Sequence, residues 1–192
     1  MRARTERIAK ALQVLNQEVG ALGHFYVLLE TIHAARGRFS ESEMPAIEGI
    51  FQASWRALLI GLAGMLSTDQ ESITIRYLLD IANNHPYDFK NYPPEMVKDV
   101  VKRARSRLDA LEDLEFRLRA LRDRRLAHLD RKLVNDSSFL GDVEITMEDC
   151  SEILSPIEDA VGFFYEAFYG ERPEFSAQRS ELKSSLERLF HG

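Results

Sequence analysis

Apolar residues recur at every third or fourth position along most of the chain. This spacing places them on one face of an α-helix, and no stretch has the strict alternation of a half-buried β-strand. The pattern predicts an all-α fold, an up-and-down bundle of about five or six helices. The predicted helices cover approximately 5–35, 45–67, 72–82, 94–121, 146–169 and 177–190, with Pro45 and Pro94 in first turns and Thr146 as an N-cap.

Small residues repeat along the second predicted helix. Ala53, Ala57 and Gly61 lie at every fourth position, and residues with this spacing share one helix face. Small side chains there allow a neighbouring helix to approach closely. The stripe predicts a packing surface and not a functional site.

The apolar pattern shifts near the end of the long predicted helix. Continuing its spacing past Leu121 leads to Arg125 and His128, while the leucines move to other positions. Either the helix breaks near Leu121–Arg122, or polar groups enter the buried seam. Both alternatives mark this basic stretch as unusual, because buried Arg and His require partners.

Composition is that of an ordinary folded protein. The 192 residues are 45% hydrophobic and 29% charged, and the longest apolar run, Ala57 to Leu66, is about half a membrane span. No apolar segment follows the charged N-terminus, and the single cysteine, Cys150, cannot form an internal disulfide. We expect a cytoplasmic protein without a membrane segment. Residues 1–171 are expected to form the main helical domain, and residues 172–192 a short amphipathic helix of unknown docking.

Charge is unevenly distributed around the net value of −6. Residues 98–132 hold twelve Lys or Arg against seven Asp or Glu, whereas residues 136–171 hold ten Asp or Glu and no Lys or Arg. The two segments either pack together and neutralise each other, or leave a local anion-binding surface on an acidic body. Eight cations could contact RNA backbone, and the first four could equally pair with acids of their own helix: Lys102, Arg103, Arg105, Arg107, Arg117, Arg119, Arg124 and Arg125.

Arg122, Asp123 and His128 form the clearest candidate constellation for chemistry. A guanidinium can neutralise phosphate charge while an imidazole moves a proton, which suits phosphodiester cleavage without a metal. The spacing alone is weak evidence, since an Arg-rich helix segment is usually a solvated face and a lone histidine is usually structural. The other histidines lack zinc-ligand spacing, so no metal or cofactor is implied.

The stretch Leu121-Arg122-Asp123-Arg124-Arg125-Leu126-Ala127-His128-Leu129-Asp130 resembles the signature of HEPN domains. In that signature an arginine is followed by a polar residue and, four to six positions after the arginine, by a histidine. The branch tied to phage abortive infection is the most similar, and its helical context also matches. The resemblance implies a metal-independent ribonuclease or a descendant of one.

By that resemblance, Arg122 would stabilise the phosphate, Asp123 would orient the arginine or the histidine, and His128 would act as acid or base. Arg119, Arg124 and Arg125 are weaker candidates for RNA contact. Within one ideal helix Arg122 and His128 lie about 120° apart, so one copy is not obviously a complete site. The family solution is a homodimer whose two motifs face each other across the interface.

Partners and alternatives follow from the same resemblance. Some HEPN toxins carry a tyrosine two positions after the histidine, which a partner enzyme modifies; here the residue is Asp130. An antitoxin of another kind remains a possible partner. The alternatives to a ribonuclease are a non-catalytic HEPN module that binds RNA, a nucleotide or a protein, and a structural bundle in which Arg122 and His128 form ion pairs.

Overall fold

The computed structural model describes residues 2–69, 72–122 and 144–191. Within these ranges the chain forms seven α-helices and no β-strand, which confirms the all-α helical bundle. Short 3₁₀ turns follow α1 and precede α4. The helices are α1 (Arg2–Ala35), α2 (Met44–Met65), α3 (Ile75–Asn84), α4 (Pro94–Asp109), α5 (Glu112–Leu121), α6 (Met147–Tyr169) and α7 (Phe175–His191).

α1 lies at the centre of the bundle and packs against α2, α3, α6 and α7. Its apolar residues keep the spacing of three and four that the sequence predicts, and they are fully buried or nearly so. Removing such side chains from water is the main driving force for folding. The buried stripe consists of Ile8, Leu12, Leu15, Val19, Leu22, Leu29 and Ile32.

α1 and α2 approach each other closely at Gly61. A Cβ built on Gly61 would overlap the Cδ2 atom of the buried Leu22, so the absence of a side chain there allows the contact. The packing role predicted for this small-residue stripe is confirmed at Gly61. Ala53, two turns earlier, is exposed.

The prediction of one long helix over 94–121 is wrong at one place, because the helix is interrupted between α4 and α5. Leu111 has φ −98° and ψ 14°, and its N–H bonds the Leu108 carbonyl only three residues back. The charges favour two helices: Arg107 lies in the last turn of α4, while acids fill the first turn of α5. Each sign complements the helix dipole at its own terminus. This break accounts for the seventh helix.

α6 supplies much of the remaining core and has both of its ends defined by local bonds. Thr146 is the predicted N-cap: its hydroxyl accepts from the Asp149 N–H, and the Asp149 carboxylate accepts from the Thr146 N–H. This reciprocal pair is a capping box. Gly170 ends the helix with φ 89°, a left-handed conformation that favours glycine.

α7 packs along α1. Lys183 on α7 contacts Glu30 on α1 at 2.9 Å, and Arg179 pairs with Glu158 of α6. The ring of Phe190 packs edge-on against Phe39, with centroids 5.4 Å apart. These contacts give the C-terminal helix a docking surface that the sequence pattern left unspecified.

Among the helices described, none combines the length and the apolar character that crossing a membrane requires.

Candidate functional site

The candidate motif begins where α5 ends. Leu121 is the last residue of α5 and is buried, and Arg122 follows it half-buried with helical dihedral angles of φ −57° and ψ −52°. Its N–H bonds the carbonyls of Leu118 and Arg119. Arg122 is therefore held by the backbone of α5, at the edge of the core.

The other predicted motif residues lie outside the described residues. These are Asp123, Arg124, Arg125 and His128. Their roles, and their grouping with Arg122, stay predictions. Arg119 and Arg122 are the two predicted site residues whose surroundings the structure describes.

Glu115 is the centre of an ion-pair network beside Arg122. It lies on α5, and one carboxylate oxygen accepts from Arg119 at 2.6 Å while the other accepts from Arg76 of α3 at 2.8 Å. Asp109, at the end of α4, contacts Arg76 at 3.6 Å. The network joins three helices and holds Arg119 one helical turn before Arg122.

The side chains of this network are partly or largely buried, unlike those of a solvated ion pair on the surface. The Glu115 side chain is 11% exposed, that of Arg76 31% and that of Arg119 45%. Burial tends to lower the pKa of Arg76, but the hydrogen bonds and negative charges of Glu115 and Asp109 outweigh it and raise that pKa. The Nε atom of Arg76 is buried without a hydrogen-bond partner in the part of the chain that the structure describes. The guanidinium therefore stays charged and depends on Glu115.

Arg76 is a site residue that sequence reasoning missed. It lies 39 residues before Glu115, and its own helix carries an ordinary apolar stripe with Leu78 and Leu79 buried. Nothing local to α3 indicates a partner on α5. Only the tertiary fold, which sets Arg76 of α3 against Glu115 of α5, brings this cation into the network.

Arg117 ties the opposite side of α5 to the start of α6. Its guanidinium donates to Asp113 at 3.0 Å and to the Glu144 carbonyl at 2.7 Å, and it contacts Asp149 at 3.6 Å. Asp149 belongs to the capping box of α6. Arg117 is thus engaged in holding the two helices together, so it is a weaker candidate for RNA contact than Arg119.

The basic and acidic segments do pack together in part. Arg107 of α4 contacts Asp159 of α6 at 2.6 Å, whereas Arg105 contacts Asp80 of α3, which lies outside the acidic segment, at 2.6 Å. Same-helix acid partners were one of the two alternatives for these arginines, and the acids that they contact lie instead on other helices. Lys102 and Arg103 are exposed and form no ion pair with any described residue.

A family model described as AbiU2, of the HEPN type, matches residues 6–189. The chain belongs to the AbiU2 family of HEPN domains. The match includes all but the first four residues of α1, the whole of α2 to α6, the motif region and nearly all of α7. No curated protein and no solved structure matches the chain. Membership confirms the resemblance carried by the motif and makes this protein a HEPN module of abortive-infection defence.

Proposed function

We propose that this AbiU2-family protein is a metal-independent endoribonuclease of a phage-defence or toxin–antitoxin system, acting at a composite site in a homodimer. The 2′-hydroxyl of a ribose attacks the adjacent phosphorus, and the bond from phosphorus to the 5′-oxygen of the next nucleotide breaks. The products are a 2′,3′-cyclic phosphate end and a 5′-hydroxyl end. The proton removed from the 2′-oxygen is balanced by the proton that the departing 5′-oxygen receives.

The observation that carries this proposal is the AbiU2 match, because the matched range contains the complete Arg122-Asp123-x4-His128 motif. The position of Arg122 adds support. It stands at the end of a helix whose preceding turn presents Arg119, itself held by Glu115. Two guanidiniums in successive turns suit the binding of a phosphate group.

In this proposal Arg122 stabilises the charge that develops on the phosphate, and His128 acts as acid or base. Asp123 orients one of the two. Imidazole suits the proton transfers, since its ordinary pKa of about 6.5 is close to neutral pH. A second protomer completes the site, because one positioned group must take the proton from the 2′-oxygen and another must give a proton to the departing 5′-oxygen.

The direct test is RNA cleavage in EDTA by wild type, Arg122→Ala, His128→Ala and the control His24→Ala, an exposed histidine on α1. Cleavage by wild type and the control, with cyclic phosphate ends and loss in the two motif variants, supports the proposal. Folded, dimeric wild type that leaves every RNA intact, including RNA from phage-infected cells, contradicts it and favours the non-catalytic binding module.

Mixing the two inactive variants tests whether the site is composite. If one protomer supplies Arg122 and the other His128, half of the dimers in a re-equilibrated mixture are mixed and each has one intact site. Activity should then return to about a quarter of the wild-type value. A mixture that stays inactive, although mass spectrometry detects the mixed dimer, contradicts a site shared in this way.

A further inference from the structure

A groove between α3 and α4 leads toward the candidate site. Its volume is about 460 Å³. It is open to solvent along its length, and its lining is mostly polar or charged. The lining residues are Asn83 from α3 and Lys98, Val101, Lys102, Arg105, Ser106 and Asp109 from α4.

The cations of this groove form a row on one face of α4. Lys98, Lys102 and Arg105 are separated by four and three residues, a spacing that places them on the same helix face. With Asp109 the row spans about 16 Å at 1.5 Å per residue. Cationic side chains therefore occupy three positions along one face of α4.

The two lysines differ from the arginine in what they contact. Arg105 is paired with Asp80 at 2.6 Å, and Asp109 is engaged by Arg76. Lys98 and Lys102 are exposed, and in the ranges that the structure describes neither forms an ion pair. The one carboxylate among the lining residues, Asp109, is thus matched by Arg76, and the lining arginine is matched by Asp80, so the two lysines remain as the net positive charge of the groove.

The groove is continuous with the ion-pair network at the motif. Asp109 lies at its end and contacts Arg76, which shares Glu115 with Arg119. Arg119 precedes Arg122 by one turn. Cations therefore follow one another from Lys98 along α4 to the arginine of the motif.

The geometry points to this groove as a binding track for the phosphodiester backbone of the RNA strand, a reading that rests on the proposed function and adds a binding site to it. Small-molecule sites are enclosed and mostly apolar, whereas this groove is open and charged. None of its described lining residues is aromatic, so none of them offers a ring on which a base could stack. Contacts to phosphates carry no sequence information, so the track positions the strand and leaves sequence preference to other residues.

The test compares two double variants that each remove two lysines. Lys98→Gln/Lys102→Gln alters the groove, and Lys10→Gln/Lys90→Gln removes the same charge from exposed positions elsewhere. The probe is a fluorescent single-stranded RNA of about 16 nucleotides with 2′-O-methyl groups, which cannot attack the phosphate, so wild type can be used. Affinity is measured by anisotropy over a range of salt concentrations, after thermal melting has shown that all variants are folded.

The groove variant should bind about tenfold more weakly at moderate salt, with a log–log salt slope reduced by about 1.4, because each phosphate contact to a single strand contributes about 0.7. The control should behave like wild type. Lys98→Arg/Lys102→Arg should retain affinity, since it keeps both charges. Inorganic phosphate at matched ionic strength should not displace the probe, because a track binds a strand and not a single anion.

Equal affinity and slope in the groove variant and the control overturn the track, as does wild type that binds no RNA. Displacement by inorganic phosphate would also overturn it, by indicating a site for one small anion. The test separates this proposal from the proposed function. If RNA binding depends on the two lysines but no RNA is cleaved, the track stands and the ribonuclease does not. If RNA is cleaved and neither binding nor cleavage depends on the lysines, only the ribonuclease stands.

Discussion

The core around α1 and α6 and the ion-pair network centred on Glu115 of α5 belong to one bundle, but they are held together differently. In the core, Phe164 is fully buried and packs against Phe89 and Phe163 with ring centroids 5.4 and 5.3 Å apart. In the first turn of α5, the buried carboxylate of Glu115 is shared between two arginines. Close packing makes the core sensitive to volume, whereas the network is sensitive to charge. Substitutions that change one property at a time should therefore separate the two regions.

The largest effect is expected in the core. Phe164→Ala should lower the free energy of unfolding by about 3–5 kcal/mol, because it removes a buried ring and leaves a cavity. Chemical denaturation followed by circular dichroism measures this. Phe116→Ala on α5 is the matched control: its ring is 70% exposed, so the loss should stay within about 0.5 kcal/mol. Similar losses for the two variants would contradict the assignment of the core.

The next effect belongs to the network. Glu115→Gln removes the charge that Arg76 and Arg119 share while keeping nearly the same volume, and should cost about 2 kcal/mol. This value is below that for a fully buried pair because both arginines are partly exposed to solvent. Glu112→Gln, at an exposed position one turn earlier, should cost a few tenths of a kcal/mol. If the two variants unfold at the same denaturant concentration, Glu115 does not hold the network.

The pH dependence of stability tests whether the core excludes the charged form of the Cys150 thiol. Burial, with a smaller contribution from Asp149, raises the pKa of this thiol to about 12. The unfolded thiol ionises at a lower pH than the folded one, so its contribution to stability is present below the unfolded pKa and is lost as pH rises toward 12. Above the unfolded pKa, wild type should lose about 1.4 kcal/mol per pH unit more than Cys150→Ala. Parallel pH profiles would place the thiol in contact with water.

The smallest expected effects are changes in stability of opposite sign at two glycines of α2. Gly61→Ala should destabilise by about 1 kcal/mol, because the new methyl group overlaps Leu22, a cost that exceeds the gain in helix propensity. Gly49→Ala has open space around it and should stabilise by about 0.5–1 kcal/mol. Melting temperatures of the pair, measured side by side, decide the point. Stabilisation by both substitutions would mean that α1 and α2 do not meet at Gly61.

Local patterns predicted most helices and several of their ends. The hydrophobic spacing identified α1, α2, α3, α6 and α7, and Thr146 was identified as an N-cap because its signal lies within one turn. The sequence pattern did not predict the break between α4 and α5, because apolar residues at helical spacing continue from Leu108 to Leu114. A pattern of apolar positions indicates which face is buried, but it does not resolve a change of direction between two helices that bury the same face.

The candidate site likewise contains residues that the sequence could indicate and residues that it could not. Arg122 could be selected from sequence because the motif is short and contiguous, and Arg119 because it is a cation close to the motif. Their roles stay predictions. Arg76 could not be selected, because its link to the motif passes through Glu115, 39 residues away. The pairing of Arg105 with Asp80 and of Arg107 with Asp159 was likewise not local.

The sequence by itself determined the helical class, the family and the position of the motif, because helix periodicity, capping and a contiguous signature are all properties of neighbouring residues. Only the tertiary structure decided which cations are matched by acids and which have no acid partner among the described residues. That choice depends on distances between helices far apart in sequence. Arg107 is paired across α4 and α6, while Lys98 and Lys102, on another face of the same helix, line an open groove.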